Sequence, residues 1–153
     1  CTAVGREQIW RLLRELWEPT GQAMYNPSWG SIMGAACVAF WTENGTRNST
    51  TKKRWRTLAV ESAYLIWKLR CERVISRNGL EFTEQEVRNR WYVTLDRRLS
   101  LERQVVALAP AKCRAKLARV LEAVWSPILN SSSDLPPNWV VNGGVLVGIK
   151  RGR

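Results

Sequence analysis

The sequence predicts an all-α fold, an irregular bundle of about five helices followed by an extended C-terminal tail. Three observations predict it. Apolar residues recur at i, i+3, i+4 and i+7 through most of the chain, start and stop signals bracket those stretches, and β-prone sequence is confined to Trp139–Ile149. With 153 residues, 45% of them apolar, the chain can bury one core. Residues 1–129 are assigned to a helical domain, and 130–153 to a loop and basic tail that packs on the bundle or frays from it.

The first helix is predicted over about Arg6 to Glu18, where Ile9, Leu12, Leu13 and Leu16 form one stripe flanked by Trp10 and Trp17, until Pro19 ends it. A turn-rich link to Pro27 leads to Ser28, a cap for a second, almost wholly apolar helix from Trp29 to about Trp41. An all-round apolar helix belongs at the centre of a bundle, and Gly30, Gly34, Ala35 and Ala36 let neighbouring backbones approach it. Thr42 to Thr51 is a polar loop. The third helix, about Lys52 to Arg77, puts Trp55, Leu58, Ala59, Ser62, Ile66 and Leu69 on one stripe, and Asn78-Gly79 supplies its left-handed stop. Thr83 and Glu86 form a capping box for the fourth helix, which runs to about Leu108 with Val87, Trp91, Thr94 or Leu95, Leu99 and Val105 or Val106 inward and its arginines, Arg103 included, exposed or flanking. Pro110 opens the fifth, whose Leu117, Val120, Leu121, Val124 and Trp125 face the core before Pro127. Trp139 is expected to pin the tail to the bundle.

Several classes of chemistry are excluded or unsupported. A chain without histidine has no Ser-His-Asp or Cys-His arrangement and lacks the commonest zinc ligand. No Gly-rich phosphate loop or nucleophile elbow occurs, Glu61, Glu72, Glu84 and Glu86 are explained by helix starts or by neighbouring basic residues, and Asp96, beside Arg97 and Arg98, reads as an ion pair or a solvated position rather than a metal ligand. No catalytic residue and no cofactor are expected. Cysteines at 1, 37, 71 and 113 form no C-x-x-C pair, and Cys37 and Cys71 read as buried thiols of a reduced intracellular protein, nuclear or cytoplasmic. No apolar run reaches the roughly 18–20 residues of a membrane helix, so no membrane partner is expected. Beginning at Cys1 with residues already helix-patterned, the chain is expected to carry no signal peptide and to be a piece of a longer protein.

The charge is more informative. The net +11 is concentrated, because Arg47, Lys52, Lys53, Arg54, Arg56, Lys68, Arg70, Arg73 and Arg77 face only Glu61 and Glu72 within one fifth of the chain. Lys52 to Arg56 lies at a helix N-terminus, where cations oppose the dipole, so a polyanion such as RNA or DNA is the simplest partner for them, with a merely solvated face or a membrane surface as the alternatives. Trp55 among these cations is either a base-stacking ring or the first residue of the apolar stripe. The other tryptophans read mostly as core: Trp10, Trp29, Trp41, Trp67, Trp91 and Trp125 fall at or beside apolar helical positions.

Residues Glu61 to Ile75, ESAYLIWKLRCERVI, strongly resemble the ESAHLIWKLRCERVI segment in the C-terminal region of mushroom-type fungal retroelement proteins, the non-LTR reverse transcriptase and RNase H polyproteins. Further pieces agree in order: Gly5-Arg6, Ile9-Trp10 and Leu16-Trp17; Gly30, Ile32 and Gly34; Glu86 to Trp91; Leu135 to Trp139; and Gly144 to Ile149. The resemblance covers nearly the whole chain, with Tyr64 standing where the family usually has histidine. It implies a position after the RNase H domain, with Cys1 matching the final ligand of a small zinc-binding element, and no counterpart of the family's catalytic carboxylates. It thereby implies an accessory, nucleic-acid-associated module, or alternatively a structural module that docks the parent's RNase H or polymerase domain.

Overall fold

Side-chain caps open three of the α-helices in the computed structural model, which describes residues 4–151. α1 spans Val4–Trp17 and continues as a 3-10 turn over Glu18–Thr20 that contains Pro19. α2 is short, Trp29–Met33, and starts on Ser28, whose hydroxyl accepts the Ser31 amide while the Ser31 hydroxyl accepts the Ser28 amide. α3 runs from Ser49 to Ile75 behind an Asn48 cap. Asn78 and Gly79 then adopt positive φ, 50° and 84°, and the Gly79 amide closes back on the Arg73 carbonyl at 2.9 Å, the left-handed stop that the Asn-Gly pair signals. α4, Glu84–Leu108, opens on the reciprocal Thr83 and Glu86 cap, and α5, Ala111–Trp125, follows Pro110.

α3 and α4 are antiparallel neighbours, since Glu72 meets Arg90 while Glu61 meets Arg98. α1 packs against both, and α5 closes the other side against α4 and α3. The core between them is rich in indole: Trp17, Trp55, Trp91, Trp125 and Trp139 are all fully buried. Three of their N–H groups have acceptors, Trp17 on the Gln22 carbonyl (2.9 Å), Trp91 on the Ser62 hydroxyl (2.9 Å) and Trp125 on a Glu102 oxygen (3.0 Å). Such bonds remove the penalty of burying an indole donor and set the register of neighbouring helices.

The β-prone tail forms no strand among the described residues. It runs through turns, with one antiparallel bridge between Leu129 and Ile149, and is held on α4 by Arg103, which the sequence places as exposed or flanking. The Arg103 guanidinium donates to the carbonyls of Trp139 (2.6 Å), Val140 (3.3 Å), Asn142 (2.7 Å) and Val145 (3.2 Å), and lies 5.7 Å from the centre of the Trp139 ring. Asp96 pairs with neither Arg97 nor Arg98. The backbone of Ile149 reaches its carboxylate and Arg151 lies near, while burial pushes the carboxyl above its ordinary range.

The second helix is the largest correction. Helix ends after Met33, no α2 residue is buried, and Trp29 is 82% exposed. Gly30 and Gly34 each weaken a helix by about 1 kcal/mol against alanine, and Ala36 and Cys37 bury too little to compensate. The segment is anchored instead by Phe40, which packs on Trp17 and Trp55, with Tyr25 edge-on to Phe40. Cys37 is exposed and Cys71 half-buried, so neither is the buried thiol expected. Of the fifth helix's five inward residues, Leu121, Val124 and Trp125 are buried and Leu117 and Val120 face solvent. Trp29, Trp41 and Trp67 are exposed and Trp10 half-buried, leaving Trp91 and Trp125 as the core members of that group.

Arg54 is 5% exposed and reaches across to the last turn of α5, its Nε donating to the Val124 carbonyl at 2.7 Å and an Nη to the Ala123 carbonyl at 2.8 Å. It satisfies helix-end carbonyls that have no partner within α5. Replacing Arg54 with Ala strands both carbonyls, and urea unfolding is expected to show a loss of about 2–3 kcal/mol, partly restored by Lys.

Candidate nucleic-acid interface

Helical rotation divides the cationic residues of α3 into two sets. At 3.6 residues per turn, Trp55, Leu58, Ser62, Leu65 and Leu69 share the inner face. Arg54 and Trp55 therefore leave the predicted binding surface: Trp55 is fully buried against Trp17 and Phe40, and Arg54 is committed to α5. Burial also pushes the Arg54 guanidinium below its ordinary value, without taking its charge.

The helix end holds a second set, neutralised by carboxylates. Arg73 bonds Glu81, and Arg77 bonds Glu86 at 3.2 Å and stacks 4.3 Å from the Phe82 ring centre. These two lie in an ion-paired lattice with Glu72 and Arg90 rather than on an open face. The hydrogen bond from Arg90 holds the Glu72 carboxyl below its ordinary value, and the Thr83 amide does the same for Glu86, with Arg77 assisting. Arg90 is correspondingly raised.

The remaining predicted residues face outward. Arg56, Lys68 and Arg70 are exposed and Lys52 and Lys53 half-exposed, and none takes a carboxylate partner among the described residues. Arg47 lies before the helix, 5.6 Å from the centre of the exposed Trp41 ring. Between these cations stand residues that the sequence reading did not place in the site. Tyr64 and Trp67 are exposed and stack with ring centres 5.7 Å apart and planes 26° apart, and the Lys68 ammonium lies 5.8 Å from the Tyr64 ring centre. Tyr64 and Lys68 also line a groove of about 220 Å³ with Arg97 and Leu101 of α4. Its one acid, Glu61, is bonded to Arg98 at 3.4 Å. On α5, Lys112, Lys116 and Arg119 form a further exposed cationic stripe at i, i+4, i+7 spacing.

A larger hollow of about 430 Å³ is lined by α4 alone, including Asp96, Arg97 and Gln104, and a single helix encloses no small-molecule site. Among the described residues no three His, Cys, Asp or Glu side chains group as metal ligands, and Cys1 lies outside them. No helix of the described residues is long and apolar enough to cross a membrane. Compared with protein-family models, curated proteins and solved structures, the chain finds no match.

The paired carboxyls at the α3–α4 turn give the fold an acid sensitivity. Glu72 and Glu86 titrate below the ordinary 4.5 when folded, so the unfolded chain takes up protons first as pH falls. Their contribution is whole above 4.5 and disappears as pH falls through their depressed folded values. Stability followed by urea unfolding is expected to fall less steeply below that pH in a Glu72→Gln, Glu86→Gln protein than in the wild type.

Proposed function

We propose that this chain is an accessory module of a retroelement-derived reverse transcriptase and RNase H protein, and that it holds RNA or DNA by the backbone through the solvent face of α3. One observation carries the reading. Among the described residues, Lys53, Arg56, Lys68 and Arg70 take no carboxylate partner, while Arg73, Arg77, Arg90 and Arg98 are all paired with one. A merely solvated helix has no need to sort its cations this way, whereas each phosphate neutralised by a free cation releases counterions. The retroelement setting rests on the resemblance of Glu61 to Ile75, which forms the greater part of the same face.

A docking module is the second reading, favoured by the exposed apolar side chains of Trp29, Met33, Leu101 and Leu108. The two readings part on salt dependence. Oligonucleotide affinity is expected to fall with rising salt with a log–log slope of about −3 for four phosphates on single strands, and Lys53, Arg56, Lys68 and Arg70 replaced together by Glu are expected to abolish binding. Affinity unchanged by that replacement would sink the polyanion reading and leave docking.

A further inference from the structure

We infer that the Tyr64 and Trp67 pair is a stacking platform for unpaired bases, which makes single-stranded nucleic acid the ligand class of the α3 face. The inference deepens the polyanion reading and rests on it. An α-helix that only needs charge on its outer face has no use for two large rings there. Trp67 is 58% exposed, and its stack with Tyr64 leaves an outer ring face open to a flat partner. Val60, about one turn before Tyr64, and Val74, about two turns after Trp67, extend the same exposed stripe.

The arrangement of cations around the rings separates a nucleic acid from an apolar protein partner. Each ring has a cation one turn further along the helix, Lys68 after Tyr64 and Arg70 after Trp67, Arg97 of α4 shares the groove with Tyr64, and Arg56 stands about two turns before Tyr64 on α3. The single acid of the adjoining groove is already bonded to Arg98. The face thus offers π surface and positive charge at about one-turn spacing, with no free negative charge, and a single strand presents the complement, base planes alternating with phosphates. A duplex does not, because its bases are stacked on one another and show only their edges in the grooves. Arg56 and Arg70 are about 21 Å apart along the helix axis, enough for a short run of nucleotides.

The test compares a single-stranded oligothymidylate of about 12 nucleotides with a duplex of equal length, at low salt, by fluorescence anisotropy. The wild-type chain is expected to prefer the single strand. Trp67→Ala is expected to lower single-strand affinity by about tenfold with duplex affinity unchanged, Tyr64→Ala to lower it less, and Trp67→Phe to keep most of it. Because both rings are exposed, thermal unfolding of each variant is expected to stay near that of the wild type, which separates the platform from a structural role. Equal wild-type affinity for the two probes, or ring variants that bind the single strand as the wild type does, overturns the inference while leaving backbone binding intact. Ring variants that lose self-association in sedimentation velocity and keep single-strand affinity also overturn it, in favour of a protein interface. A wild-type chain that binds neither probe defeats the polyanion reading itself.

Discussion

The rotation of α3 is set by one buried face, in which Arg54 stands beside the apolar stripe that begins at Trp55. Arg54 belongs to the densest cationic run of the chain, Lys52 to Arg56, yet its guanidinium is turned inward to the carbonyls of Ala123 and Val124. Burying a charge is costly unless its donors are satisfied, and two main-chain carbonyls at the negative end of α5 supply that satisfaction. With Arg54 facing α5, Trp55 and the apolar stripe that continues to Leu69 enter the core, and Lys53, Arg56, Tyr64 and Trp67 are carried toward solvent. The buried face, Arg54 included, therefore decides which side chains of a 27-residue helix are left for a partner.

Arginine serves the same structural purpose at Arg103, where one planar fork gathers four carbonyls of an irregular tail. Lysine has neither the fork nor the reach in two directions at once. Burial lowers the Arg103 guanidinium as it does Arg54, but both start so high that the charge persists, and the surrounding carbonyl dipoles hold it in place. A basic composition is thus spent on two different ends: part of it stitches helices and tail together, and part remains on the surface of α3 and α5.

Which part is which was only partly legible in the sequence. Short-range signals transferred well: the Thr83 and Glu86 cap, the Ser28 cap and the Asn78-Gly79 stop all appear where local chemistry puts them. Long-range partners are invisible to such signals, so nothing local distinguishes Arg54 from Lys53, or Arg103 from Arg97. The second helix failed for another reason. Its apolar content was read as helix, although glycine, alanine and cysteine add apolar letters without adding much buried area, and the true anchor is Phe40 beyond it. Trp67 was recoverable from geometry alone: it lies 12 residues after Trp55, which at 3.6 residues per turn is a third of a turn off, so the two rings cannot both face the centre of one stripe.

That angular offset also bears on the meaning of the net charge. Glu61, Glu72 and Glu86 are drawn into the seam between α3 and α4 by Arg98, Arg90 and Arg77, while Glu102 pairs with Arg98 along α4 and accepts the Trp125 indole of α5. This pairing occupies four acids with three arginines, Arg98 taking both Glu61 and Glu102, and with acids the scarcer charge the remainder is cationic by subtraction. The surplus collects on exposed surface, along Lys53, Arg56 and Arg70 on α3 and along Lys112, Lys116 and Arg119 on α5, with Lys68 at the groove between α3 and α4. Like charges so placed repel one another and gain nothing from the fold, while bound phosphates would relieve them. The same packing that neutralises the interior therefore produces the electropositive surface, and the exposed rings of Tyr64 and Trp67 lie in the middle of its longest stretch.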